Sequence, residues 1–547
     1  MTTNPNPEVD FSKPVWLKTW GGIPVKAVYT AKDIEGSDVD KSVGLPGEYP
    51  FTRGIHPEMY RSRLWLRRQL TGYGSAEDTY ERQRFLERAG QTGLHPVVDI
   101  PTQCEIDSDH PLAEEEVGLA GVPMCSLQDM EELMRDIPLD EINPSLAGSL
   151  NMTFGVFYIA MAEKRGYDIS KLRGTHEFCG LLGTYAEGKE RKPAEIRIRV
   201  VVDAGAFCAE RMPFWSPFSL NSYSWPEGGF GAAEEMGITL AEAKEYLRAA
   251  LKKGIDIDKF AQRMTFTSSA HVDFFETCAK LRATRRIWAR MLKEEFGAKD
   301  LRSCRFRVQT NTSGCALVRP QPLNNIIRLC YQALGAILGG TQSLQVMSYD
   351  ESLGLPTEIG QMLSQRTQQI LAYETGVANV VDPLAGSYYV EWLTNTLEKE
   401  INRVIREIEE LGGLGAVMES GWLHQKEDEA TYRHQRELEQ KERIVVGVNA
   451  FTIPEDKDKD LGLHVTSRVS TRGQIAKVKK LKKERDIDKV KAAVARLYEK
   501  ARNREENIYP AMIEAAQAYA TTGEIAGTIR TAYGYSYDPY GVIENPF

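Results

Sequence analysis

The sequence predicts an α/β protein, a (β/α)8 TIM barrel with an N-terminal arm and a C-terminal helical extension, and three observations predict it. From Thr92 onward, short apolar β-branched runs alternate with longer stretches of helical period, the signature of repeated βα units around a parallel sheet. Eight such runs can be counted, and eight is the number that closes a barrel. A chain of 547 residues also has room for one barrel of more than half its length plus appendages.

Taken in order, residues 1–50 read as an extended arm that contacts a partner subunit, since Pro5, Pro7, Pro14 and Pro24 interrupt any long helix up to about Asp40. Residues 51–400 hold the barrel. Its candidate strands are His95–Asp99, Ile142–Ala147, Leu172–Glu177, Phe218–Tyr223, Met264–Thr267, Arg305–Gln309, Gln342–Val346 and Ala378–Val381. Between them, the Thr239-Leu-Ala-Glu242 segment reads as a capping box that starts a helix, and Gly254 as its stop. Residues 401–547 form the helical extension. From roughly Glu398 the composition turns to long charged stretches such as EKEINRVIREIEEL, whose blandest reading is solvated helix.

Composition excludes several function classes. A net charge of −9 argues against general nucleic-acid binding, which needs a broadly basic surface. The eight cysteines are scattered, with no C-x-x-C pair, and no secretory leader precedes them; reduced cytoplasmic thiols fit this pattern. Nowhere do eighteen apolar residues run together, so no membrane span is expected. There is no H-E-x-x-H, no close Cys/His group, no Ser/His/Asp triad pattern and no phosphate P-loop, and a metal held by this chain is not expected.

One stretch, Gly44 to Thr79, concentrates cations beside aromatics. Arg53, Arg61, Arg63, Arg67 and Arg68 fall within sixteen residues, near Tyr60 and Trp65. Guanidinium forks donate paired hydrogen bonds and keep their charge, so this group suits a phosphate-bearing ligand; a solvated basic face is the alternative. Residues at the C-terminal ends of the candidate strands are the other positions to inspect: Asp99, His176, Glu177, Tyr223, Ser224, Thr267, Gln309, Asn311 and Gln345.

The wording of these stretches resembles a known family. PFTRG at Pro50–Gly54, MYRSRLW at Met59–Trp65, RQLTGYG at Arg68–Gly74, DSDHP at Asp107–Pro111, NTSG at Asn311–Gly314, GGTQSL at Gly339–Leu344, DESLGLPTE at Asp350–Glu358 and DPLAGSYYVEWLT at Asp382–Thr394 follow the order found in the adenosylcobalamin-dependent acyl-CoA mutases. That family includes enzymes acting on methylmalonyl, isobutyryl and 2-hydroxyisobutyryl thioesters of CoA. The resemblance covers almost the whole chain, and its large, substrate-binding subunits are the part it matches.

What the resemblance implies is uneven. Tyr223 matches a tyrosine on the adenosyl and substrate side of the pocket, and Asn311, Glu227 and Gln345 fall at cofactor-facing positions. Ser224 replaces a histidine and Glu177 a glutamine, both of which face the thioester carbonyl in the family; a protonated Glu177 could still donate to it. Leu70 takes the place of a tyrosine on the pocket floor. Glu187 replaces the arginine that pairs the free carboxylate of methylmalonyl-CoA, so a charge is reversed there. Arg63, Arg68 and Arg263 sit at CoA-contacting positions, and Thr265 and Gln309 at further substrate positions, whereas Glu58 and Leu66 replace hydroxyl residues.

Two functions follow from this. One is the large subunit of an adenosylcobalamin-dependent acyl-CoA mutase, an isomerase acting on a neutral or bulky acyl group by a radical 1,2-rearrangement. The other is a non-catalytic scaffold barrel of a heteromeric mutase. No D-x-H-x-x-G motif for a lower cobalt ligand occurs, so the resemblance implies a separate small cobalamin-binding subunit, with a dimer of the large subunit in a heterotetramer.

Overall fold

The computed structural model describes residues 18–35, 43–453 and 468–547. Pro5, Pro7, Pro14 and Asp40 of the expected arm lie outside these ranges. The chain divides into two compact units, each drawn from three separated stretches. The first comprises Met1–Arg67, Ser222–Ala241 and Phe266–His464, and the second Arg68–Asn221, Glu242–Thr265 and Val465–Phe547.

Among the described residues eight strands occur, in chain order β1 (Leu66–Arg68), β2 (Ser145–Leu146), β3 (Gly174–His176), β4 (Trp215–Ser216), β5 (Phe218–Asn221), β6 (Met264–Ala270), β7 (Val308–Thr312) and β8 (Ser343–Gln345). In the first unit β7 lies between β6 and β8, both parallel to it, with Phe266 opposite Val308 and Asn311 opposite Gln345. The Leu66 amide of β1 donates to the Gln342 carbonyl at 3.0 Å, which places β1 on the far side of β8. In the second unit β2, β3 and β4 are parallel in that order. Single parallel bridges, Thr71 to Pro96 and Val97 to Ala147, extend that side.

Parallel neighbours need a crossover, and helices supply it. Phe274–Arg290 joins β6 to β7, started by the Asp273 carboxylate accepting the Glu276 amide at 3.0 Å; Asn324–Leu338 joins β7 to β8. The class is therefore α/β, as the alternation predicted. Among the described residues the ladders form two parallel sheets and not one closed ring.

Two expectations are corrected. Ala378–Val381 is a turn between Gly376 and Asp382, both at positive φ, with the Asn379 amide bonded to the Gly376 carbonyl and Val380 60% exposed. An apolar run that faces water gains nothing from a ladder. Two strands were missed: β1, hidden because its LRR sequence carries two arginines, and β4, only two residues long. Thr239 does not cap a helix. It lies inside Ala232–Lys252 and its hydroxyl donates to the Glu235 carbonyl one turn back at 2.8 Å, an alternative to capping open to any mid-helix threonine.

Each unit has its own core. In the first, Leu329, Ala333 and Ile337 of Asn324–Leu338 pack on Leu344 and Val346 with Trp65, whose indole N–H donates to Gln368 Oε1 at 3.1 Å. In the second, the DSDHP loop acts as a clamp. Asp107 accepts from the Thr521 hydroxyl at 2.6 Å and the Gly523 amide at 2.9 Å, at the start of Thr522–Ala532, and pairs with Lys482 at 2.9 Å. Among the described residues no helix is long and apolar enough to cross a membrane.

Candidate functional site

In the first unit the site is built where β6 and β7 end. Ser222 donates from its amide to the Thr267 carbonyl at 2.7 Å and from its hydroxyl to Glu235 at 2.8 Å. Glu235 is itself buried and paired with Lys280 at 2.6 Å. This anchor fixes the turn that carries Tyr223 into the short helix Ser224–Glu227. The Gly314 amide donates to the Tyr223 hydroxyl at 3.1 Å, while Glu227 accepts from the Ser313 hydroxyl and the Cys315 amide, each at 2.9 Å. Thus NTSG is the loop that meets both Tyr223 and Glu227.

Burial and then the Glu227 carboxylate push the Tyr223 phenol well above its ordinary range, so its proton stays. Glu351, not singled out from the sequence, joins this group: burial, Asp350 and Glu227 raise its carboxyl to about 7. Its only sequence signal was its place in the DESLGLPTE motif. Along β7 and β8, Ser343 donates to Gln309 Oε1 at 3.2 Å, and the Gln309 amide to Asn311 Oδ1 at 3.3 Å. Gln345 donates to the Met347 sulfur at 3.5 Å, and its Oε1 is buried without a partner.

In the second unit four side chains from neighbouring strand positions meet in the interior: Arg68, His95, Ser145 and Glu177. His95 Nε2 lies 3.0 Å from Glu177 Oε1, and the Ser145 hydroxyl donates to the same oxygen. Arg68 donates to the carbonyl and the side-chain oxygen of Asn143, each at 3.1 Å. Burial works to raise the Glu177 carboxyl, yet His95, Ser145 and Arg68 outweigh it and hold it at about 2. Glu177 is therefore an ionised acceptor, which corrects the expectation that it might donate as an acid. His95 and Ser145 were not foreseen, because nothing in sequence spacing links residues 32 or more positions apart.

Glu187 ends the helix Gly180–Glu187, also in the second unit. Its side chain accepts from the Tyr540 hydroxyl at 3.0 Å and lies 3.7 Å from Lys192 Nζ. Lys192 is buried, 3.0 Å from Glu105, which also pairs with Arg197 at 2.6 Å. Of the other expected positions in this unit, Leu70 is half-buried just beyond β1, Thr265 donates to the Phe218 carbonyl at 3.2 Å, and Arg263 donates to the Pro213 carbonyl.

The arginine group does not act together. Arg53 pairs with Asp382 at 3.6 Å and Arg68 is buried on Asn143; Tyr60 and Trp65 spend their polar atoms on Thr341 and Gln368. Arg61 and Arg63 are exposed. Arg63 lies near Arg305 and His56, and burial together with these two guanidiniums lowers the His56 imidazole. Arg63 and Arg305 thus place two guanidiniums beside a neutral His56, and of the three sequence reading found only Arg63.

An α/β protein with a half-buried tyrosine and carboxamides gathered at its strand ends has the parts of an enzyme site. The family profile described as methylmalonyl-CoA mutase matches residues 18–535, and the chain belongs to that family. It is 39% identical over 520 residues to the 2-hydroxyisobutanoyl-CoA mutase large subunit of Aquincola tertiaricarbonis, covering 94% of this chain and 92% of that one. It is 38% identical over 522 residues to the methylmalonyl-CoA mutase of Rhizobium meliloti (strain 1021), covering 95% and 72%. With the methylmalonyl-CoA mutase large subunit of Streptomyces virginiae the identity is 34% over 519 residues, covering 94% and 70%. The protein is an isomerase of the methylmalonyl-CoA mutase type.

Proposed function

We propose that the chain is the substrate-binding large subunit of an adenosylcobalamin-dependent mutase that rearranges the carbon skeleton of an uncharged or bulky acyl-CoA. The observation that carries this reading is the Tyr223 cluster together with the orphaned oxygen of Gln345, which stands opposite Asn311 on the neighbouring strand. Buried polar atoms without partners are costly, and a hydroxyl or the exocyclic amino group of adenosine would satisfy the Gln345 oxygen. Among the described residues no group of His, Cys, Asp and Glu could hold a metal ion. The Tyr223 cluster and the Gln345 oxygen fit the adenosyl part of the cofactor, and its corrin would be held by a small partner subunit, in keeping with relatives named large subunits.

When bound, adenosylcobalamin supplies a carbon-centred radical that takes a hydrogen atom from the acyl chain. This chain's residues position the substrate and keep water away. Tyr223 keeps its proton and presents a neutral wall. Arg63, Arg305 and His56 offer donors to the CoA phosphates. Glu177, ionised, cannot donate to a thioester carbonyl. Glu187 repels an acyl carboxylate, so methylmalonyl-CoA is not the expected substrate. Residues 51–400 are assigned to the substrate barrel, 1–50 to subunit contact and 401–547 to the extension toward the small subunit, in a cytoplasmic hetero-oligomer.

The test is thermal unfolding of the full chain with CoA, isobutyryl-CoA and succinyl-CoA. A ligand at a hundredfold excess over its Kd adds about 2.7 kcal/mol to native stability. Isobutyryl-CoA should raise Tm by several degrees and succinyl-CoA by much less. No shift with any of them would leave the scaffold reading in place.

A further inference from the structure

Glu187 meets a residue 353 positions away, and that contact bears on which acyl groups the site accepts. Tyr540 stands on a turn held by the Asp538 carboxylate, which accepts the Val542 amide at 2.5 Å and the Ile543 amide at 3.1 Å and lies 3.4 Å from His110. The Arg191 guanidinium covers the Tyr540 ring at 4.6 Å. The phenol is therefore fixed from both sides before it donates to Glu187 Oε2 at 3.0 Å. Burial, the neighbouring Cys104 and the Glu187 carboxylate push its ionisation up, so it remains a donor. The other carboxylate oxygen, Oε1, has no hydrogen-bond partner and faces Lys192 Nζ at 3.7 Å. Only a tenth of the Glu187 side chain is exposed.

We infer that Tyr540 is a specificity-determining residue: with Lys192 it ties up the Glu187 carboxylate, so the acyl end of the site rejects charged groups of either sign and takes short uncharged acyl-CoA thioesters. The inference rests on the proposed reading that position 187 faces the far end of the acyl chain. An anionic acyl group meets the Glu187 charge. A cationic one finds Oε2 taken by the Tyr540 hydroxyl and the Lys192 ammonium standing over Oε1, and must displace the one or meet the other's like charge. Selectivity here comes from what the site withholds as much as from what it offers.

The experiment measures equilibrium binding of CoA, isobutyryl-CoA, succinyl-CoA and 3-aminopropanoyl-CoA to the full chain, to Tyr540→Phe and to Glu187→Gln. The unaltered chain should prefer isobutyryl-CoA to each charged thioester by about tenfold or more. Tyr540→Phe frees the carboxylate and should improve 3-aminopropanoyl-CoA by about tenfold relative to isobutyryl-CoA, with CoA itself unchanged. Glu187→Gln removes the repulsion and should improve succinyl-CoA by a similar factor. If isobutyryl-CoA and CoA bind but neither variant alters the ranking, Tyr540 does not set specificity and the inference falls alone. If the unaltered chain binds no CoA compound, the proposed function falls and takes the inference with it.

Discussion

Removing the His95 imidazole would leave the Glu177 carboxylate in a site where only a twentieth of the residue is exposed. Breaking a buried pair from one side commonly costs about 3–5 kcal/mol, because the remaining charge has no water to turn to. His95→Ala should lower stability by that order in urea unfolding, and a change within about 0.5 kcal/mol would mean the pair is not formed. The depressed Glu177 carboxyl also predicts a pH dependence. Its folded value of about 2 lies below the ordinary 4.5, so its contribution is complete above that ordinary value and is lost as pH falls toward 2. The full span corresponds to roughly 3 kcal/mol. The stability difference between the natural chain and Glu177→Gln should therefore shrink steadily below about pH 4.5. Parallel acid-side curves would show that the carboxyl is not held down.

Among the elements, the RQLTGYG motif owes its first glycine to backbone crowding. Gly72 has φ +142, and a Cβ there would lie 2.4 Å from the Val97 carbonyl oxygen, which is main chain and cannot swing aside. Gly72→Ala should cost about 2–4 kcal/mol, read as a fall in the denaturant midpoint without a change in slope. The DSDHP motif has an equally structural part. Asp107 joins the start of Thr522–Ala532 to Lys482, so Asp107→Ala should destabilise the second unit by about 3 kcal/mol. Thr521→Ala, which removes the cap of the same helix, should cost nearer 1 kcal/mol. Equal losses in the two variants would show that Asp107 does no more than support the cap.

For the whole molecule, the prediction concerns assembly. The chain carries no D-x-H-x-x-G motif, and among its described residues no side-chain group could hold a metal. Incubated alone with adenosylcobalamin and isobutyryl-CoA, it should form no rearranged product. Addition of a small cobalamin-binding subunit should bring turnover, followed by mass spectrometry and NMR of the acyl products. Full activity of the chain by itself would mean that its own residues hold the corrin.

What the sequence determined by itself was periodic or local. The alternation of β-branched runs with helical stretches announced an α/β class, and seven of the eight predicted runs contain or adjoin a strand or parallel bridge. The ordered motifs announced the family, and Tyr223, Glu227 and Asn311 could be named from them. Tertiary structure decided whatever depends on distant partners. Whether LRR or Ala378–Val381 forms a strand was settled by which had a neighbour to bond, since a ladder is stabilised by its partner and not by its own residues. Whether Glu177 keeps a proton was settled by His95, Ser145 and Arg68, which share no local pattern with it. Whether Glu187 offers a free charge was settled by Tyr540. Electrostatic and hydrogen-bond energies depend on distance in space, and separation along the chain carries no information about that distance until the chain has folded.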